Sequence, residues 1–276
     1  MSRMEHDGAA LRTGGSSARG MWLVAILCVA QACGTALDSP SRKVDETPER
    51  GAQALHQPGW HAYPSTARDR HAAVALPQGR ALVCGGMDSR SIPVVYPRSC
   101  ELLSVDESLG LVTQPFAPLP EDRTQATLSL LSDGRVLIAG GRDAGGSGLQ
   151  SAHVGTFASG WGAPELLVAG RGLHTASVLE DLVVLIGGQT GSSIVSPVEV
   201  RSSEGSWSAA LEQPRSGHTA TVLRSGTELL VVGGYANGDY LRSAALFSAD
   251  AGWREVAPMP VERFHHTATL LEDGAV

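Results

Sequence analysis

The stretch RSGHTATVLRSGTELLVVGG (Arg215–Gly234) holds two different strand patterns joined by a turn. HTATVL alternates polar and apolar residues, as a strand with two unlike faces does. ELLVVGG is apolar throughout, as a strand covered on both faces is, and it ends on a glycine pair. The same unit recurs along the chain. GRALVCGG ends at Gly86, GRVLIAGG at Gly141 and DLVVLIGG at Gly188, so the second glycines fall 55, 47 and 46 residues apart. The pairs are Gly85-Gly86, Gly140-Gly141, Gly187-Gly188 and Gly233-Gly234.

Other landmarks keep this register. An arginine precedes each pair (Arg68, Arg123, Arg171, Arg215), and a fifth stands at Arg263. Three residues after it comes a histidine (His71, His174, His218, His266), except in the second copy, which has Ala126. Downstream lie the short apolar segments CELLSV, AHVGTF, VEVRS and AALFS, then a tryptophan in most copies (Trp161, Trp207, Trp253). Trp60 stands eight residues before Arg68, and the first copy offers Leu111 or Val112 in place of its own tryptophan. Each copy therefore contains four strand-length segments bounded by Gly, Asp, Ser or Pro, with turns such as Ser132–Arg135 and Leu179–Leu182. No segment of this region sustains a helical period, so the expectation is an all-β fold.

Four antiparallel strands in about 45–50 residues make one propeller blade. The R-x-x-H, apolar-GG and spaced-tryptophan pattern is similar to kelch repeats, over Trp60 to Val276. That resemblance implies a kelch-type β-propeller of four four-stranded blades plus the start of a fifth. It also implies that the glycines, tryptophans, arginines and histidines serve the scaffold, and that the Trp60 strand closes the ring against the last blade. The final copy, RFHHTATLLEDGAV (Arg263–Val276), stops before its glycine pair, so the expected ring is incomplete, lacking on the order of 50–130 residues.

The region before Trp60 reads as an address. Residues 1–33 place Arg12 and Arg19 ahead of the apolar run MWLVAILCVAQA (Met21–Ala32), which fits a signal-peptide core and is too short to span a bilayer. Ala30-Gln31-Ala32-Cys33 resembles a bacterial lipobox, which makes Cys33 the lipidated residue of an exported protein, outer-membrane, periplasmic or extracellular. Plain secretion, with cleavage after Ala32, is the alternative. Residues 34–59 are polar and proline-bearing and read as a tether.

Net charge is −7, with one lysine (Lys43) against twenty arginines, which argues against a nucleic-acid partner; membrane attachment is expected through the lipid alone. Signatures such as G-x-S-x-G, H-E-x-x-H, G-x-G-x-x-G and C-x-x-C are absent from the sequence, so no catalytic residue, cofactor or metal is expected. The acidic pairs Glu121-Asp122, Glu180-Asp181 and Glu272-Asp273 read as solvated connections. Cys84 and Cys100 align with cross-hairpin neighbours in other copies, and remain either a disulfide or two buried thiols. The variable parts are the connections after each glycine pair. There Arg90, Tyr96, Arg142, Asp143, Tyr235, Asn237, Asp239 and Tyr240 offer aromatic and hydrogen-bonding groups suited to a sugar or a protein surface. The expectation is a binding module, monomeric when its ring is whole. The alternative is a carbohydrate-active enzyme, a sugar isomerase or a galactose-oxidase-like protein, of which this is a propeller portion.

Overall fold

A computed structural model describes residues 66–106 and 110–276; the lipobox-like Cys33 and the Trp60 strand lie outside the described residues. The described chain is all-β, with four antiparallel four-stranded sheets, each joined in simple chain order. This arrangement is compatible with the blades of a propeller. The first sheet holds β1 (Ala72–Leu76), β2 (Arg80–Cys84), β3 (Cys100–Asp106) and β4 (Gly110–Phe116). The second holds β5 (Thr127–Leu130), β6 (Val136–Ala139), β7 (Ser151–Thr156) and β8 (Gly160–Leu166). In the third, β9 (Thr175–Leu179) and β10 (Leu182–Ile186) lead through a small hairpin, β11 (Gln189–Thr190) and β12 (Ser193–Ile194), to β13 (Pro197–Arg201) and β14 (Trp207–Glu212). The fourth repeats that plan. It runs β15 (Thr219–Val222), β16 (Glu228–Val232), the hairpin β17 (Tyr235–Ala236) and β18 (Asp239–Tyr240), then β19 (Ala244–Ser248) and β20 (Gly252–Val256).

The first strands of successive sheets pack on one another: β1 on β5, β5 on β9, β9 on β15. The core lies between sheets rather than within one. In β6, Val136 and Ile138 join the cluster of the first sheet, whereas Leu137 and Ala139 join that of the third. In β10, Val183 and Leu185 face the second sheet, and Val184 and Ile186 face the fourth. A strand covered on both faces gains from apolar residues at every position, which is why these runs do not alternate.

Backbone joints lock each sheet to the next. The second glycine of each pair donates its N–H to the carbonyl of the following landmark arginine: Gly86 to Arg123 at 2.9 Å, Gly141 to Arg171 at 2.7 Å, Gly188 to Arg215 at 2.7 Å and Gly234 to Arg263 at 2.8 Å. All eight paired glycines have positive φ. A Cβ on Gly85 would sit 2.6 Å from the Arg123 carbonyl oxygen, so only glycine admits this approach. Each arginine then turns its guanidinium to its own sheet. Nη1 donates to the first glycine's carbonyl from Arg68 (2.9 Å), Arg123 (2.8 Å), Arg171 (2.9 Å) and Arg215 (3.2 Å).

Histidine and threonine supply a second joint. Nε2 of His174, His218 and His266 meets the hydroxyl of Thr127, Thr175 and Thr219 on the preceding sheet, at 3.0, 2.9 and 3.0 Å. Between the first two sheets the equivalent positions are Ala72 and Ala126, both buried in one cluster. The polar pair has been exchanged whole for an apolar one. Tryptophans add a third joint: Trp161 Nε1 donates to the Ala117 carbonyl and Trp207 Nε1 to Glu165, each at 3.0 Å. In the first sheet Leu111 occupies the tryptophan register, opposite Val105. Cys84 and Cys100 lie directly opposite on β2 and β3 and form a disulfide facing the second sheet.

The last copy uses the same joints without forming a strand. Arg263 accepts from Gly234, and His266 meets Thr219, but no strand is assigned beyond β20.

Candidate functional site

The residue two places after each landmark arginine has left-handed backbone: Arg70, Gln125, Leu173, Gly217 and His265, with φ between 52° and 58°. That turn aims each N–H at the previous sheet. Gln125 donates to the Arg70 carbonyl (2.8 Å), Leu173 to Gln125 (3.3 Å), Gly217 to Leu173 (3.2 Å) and His265 to Gly217 (2.9 Å). The result is an arc of backbone bonds at the entry to the first strands. One residue from each of the four sheets and one from the last copy stand on it, and these five differ in chemistry while the flanking landmarks repeat.

Beside the arc run the connections after the glycine pairs, and they touch in sequence. Tyr96 donates to the Ala144 carbonyl at 3.5 Å, joining the first connection to the second. Arg142 donates through Nη2 to the Gly191 carbonyl at 3.1 Å, and Gly148 donates to the Thr190 hydroxyl at 3.0 Å, joining the second to the third. In the fourth, Asn237 (φ 54°) and Gly238 make the two-residue turn between β17 and β18, leaving Asp239 exposed on β18. This hairpin brings Tyr235 and Tyr240 to 5.7 Å between ring centroids. Both meet Phe264, at 6.1 and 5.8 Å, and Phe264 in turn contacts His265 at 3.8 Å. Gly217 is required beneath Phe264, because a Cβ there would strike the ring.

The eight residues singled out from sequence thus divide. Tyr235 and Tyr240 form one aromatic cluster, and Arg142 reaches the arc, with its stem lying over Gly172. Asp143 is occupied within its own loop, accepting from the Ser147 amide at 2.8 Å. Arg90 is exposed and turned to Asp88, at 3.4 Å, away from the cluster. Phe264, His265, Arg70 and Gln125 were missed. Their signal was present, since the two residues between landmark arginine and histidine change from copy to copy: DR, TQ, GL, SG, FH.

Electrostatically the arc carries arginine at one end, where Arg70 and Arg142 lie close enough to repel. Burial, and then the nearby Arg70 charge, lowers the pKa of both Arg142 and His265. Among the described residues Arg70 makes an ion pair with Asp69, at 3.8 Å, with both side chains about half exposed. Gln125 Oε1 and Arg142 Nε are buried without a hydrogen-bond partner among the described residues.

Most landmark side chains are otherwise committed, although His71 Nδ1 and Trp253 Nε1 are buried without a partner among the described residues. Glu121, read from sequence as a solvated carboxylate, in fact holds Arg123 Nη2 at 2.6 Å and accepts from Ser151. Burial pushes the Arg123 guanidinium down to about 10, against the pull of Glu121. The interior histidines each serve a different joint, and among the described residues no three metal-ligating groups converge. No protein-family model matches the chain, and no curated protein matches it.

Proposed function

We propose that the chain is an exported, lipid-anchored kelch-type β-propeller that works as a binding module for a carbohydrate or protein surface, taken up on the loop face beside the arc. One observation carries this reading. The repeated arginines Arg68, Arg123, Arg171 and Arg215 and the histidines His174, His218 and His266 are taken up in joints between or within sheets, whereas non-repeating residues of the loop face include an aromatic cluster. Tyr240 is 62% exposed there, although it has two aromatic neighbours, Tyr235 and Phe264. Exposed aromatic rings beside hydrogen-bonding groups suit the C–H faces and hydroxyls of sugars, and equally the anchor residues of a protein partner. A glycan array probed with the whole exported chain, run beside a sugar mutarotation assay, tests the reading. Saturable binding that Tyr240→Ala weakens, without turnover, supports it. Turnover that survives Tyr240→Ala overturns it in favour of an enzyme.

A further inference from the structure

The loop face carries a feature that neither scaffold nor aromatic cluster explains. In a chain of net charge −7, Arg70 and Arg142 gather at the arc beside a neutral His265; Arg70 has Asp69 at 3.8 Å, and no carboxylate among the described residues makes an ion pair with Arg142. The buried Arg142 Nε and Gln125 Oε1 are both unsatisfied. Gln125 lies between the two arginines, since its amide bonds the Arg70 carbonyl and its neighbour Thr124 pairs through the backbone with Arg142. Unpaired buried polar groups are costly, and two neighbouring guanidinium groups repel each other. A ligand bringing negative charge and hydroxyls would relieve both conditions. Guanidinium groups match a carboxylate's two oxygens, and the Gln125 carbonyl oxygen can accept from a hydroxyl.

We propose that Arg70, Gln125 and Arg142 form a carboxylate subsite for an acidic sugar, whose chain extends across His265 to the Tyr235–Tyr240–Phe264 cluster. The contiguous aromatic surface favours a glycan over an acidic peptide, because stacked rings take up a sugar's C–H face. This inference rests on the carbohydrate form of the function proposed above.

The test is calorimetric titration of the whole chain with tetragalacturonate, with the neutral galactotetraose and with hexaglutamate. Wild-type protein should bind tetragalacturonate about tenfold or more tightly than the neutral sugar, the size of effect expected for charge-assisted hydrogen bonds. Arg142→Gln should cut the affinity for tetragalacturonate about tenfold, bringing it toward that of the neutral sugar. Because Arg142 also braces the Gly191 carbonyl, Arg70→Gln provides an exposed second variant, which should narrow the preference for the acidic sugar in the same way. Equal binding of both sugars, or a preference untouched by both variants, overturns the subsite and leaves carbohydrate binding standing. Tighter binding of hexaglutamate overturns it in favour of an acidic protein partner. If neither sugar binds, the carbohydrate reading itself falls.

Discussion

Glycine at the head of each pair is there for a carbonyl, and the same backbone angle elsewhere provides the control. Gly140 has φ 54°, and a Cβ on it would lie 2.5 Å from the Arg171 carbonyl oxygen. Gly146 has φ 82° with nothing near its missing Cβ. Gly146→Ala should therefore cost only backbone strain, about 1 kcal/mol. Gly140→Ala adds a clash that the sheet joint cannot relax, for a total of ~3 kcal/mol or more. Urea unfolding of the two variants measures the difference, and equal costs would refute the joint. The arginines invite a sharper test. Arg68 and Arg171 find their carboxylate on the third strand, at Glu101 and Glu199. Arg123 and Arg215 find Glu121 and Gln213 two residues upstream instead, where the other copies have Thr66 and Ala169. Glu199→Ala should strand the buried Arg171 charge, at a cost of about 3–5 kcal/mol. Adding Ala169→Glu should recover a large part of that loss, because Glu121 already works from that position. A double variant no more stable than Glu199→Ala would show the two positions are not interchangeable.

At the level of strands, the repeat was legible because both periodicities were. The apolar runs ending on glycine become β2, β6, β10 and β16, and Ala–Thr-rich segments become the first strands. What escaped the sequence were contacts with no period. The two-residue hairpins β11–β12 and β17–β18 are too short to carry a pattern, and Phe264 joins Tyr235 only through folding. Arg70, Gln125 and His265 sit in a slot that varies between copies, so a search for repetition passes over them. Glu121 was misread for the same reason: the landmark arginine's carboxylate is local in one copy and on the third strand in others. The cysteine pair shows the opposite case, where register in one sheet predicts tolerance in another. Cys84 and Cys100 occupy the positions that Ala139 and Ala152 fill in the second sheet. The double variant Cys84→Ala/Cys100→Ala should keep the fold, since alanines already pack there. It should lose ~3 kcal/mol, the constraint expected of a bridge across 16 residues. Thermal melts of the double variant and the oxidised protein compare them directly, and equal midpoints would count against any stabilising role.

Across the whole molecule the sheets are not equally bonded, and pH should reveal the difference. The joints between second and third, and third and fourth sheets each bury a neutral histidine, His174 and His218, against threonine. Burial holds His174 well below the usual histidine range, with Arg171, His218 and Arg123 adding repulsion. Burial, then Arg215 and His266, lowers His218 to about 3. A histidine held neutral in the folded chain takes up its proton first in the unfolded chain, near pH ~6.5. Stability is then complete above that pH and falls as acid is added, down to about pH 3 for His218. Each such histidine contributes a slope of up to about 1.4 kcal/mol per pH unit in that window. The first joint has Ala72 and Ala126 in these positions and no proton to gain. Acid should thus loosen the third and fourth sheets before the first two part. Hydrogen exchange followed from neutral to acidic pH should show protection lost in β9 and β15 before it is lost in β5. The double variant Thr175→Ala/His218→Ala copies the alanine joint into the other interface, and should remove one histidine's share of the slope. A slope unchanged by that replacement, with the variant folded at neutral pH, would mean that the histidine joints do not set the acid limit.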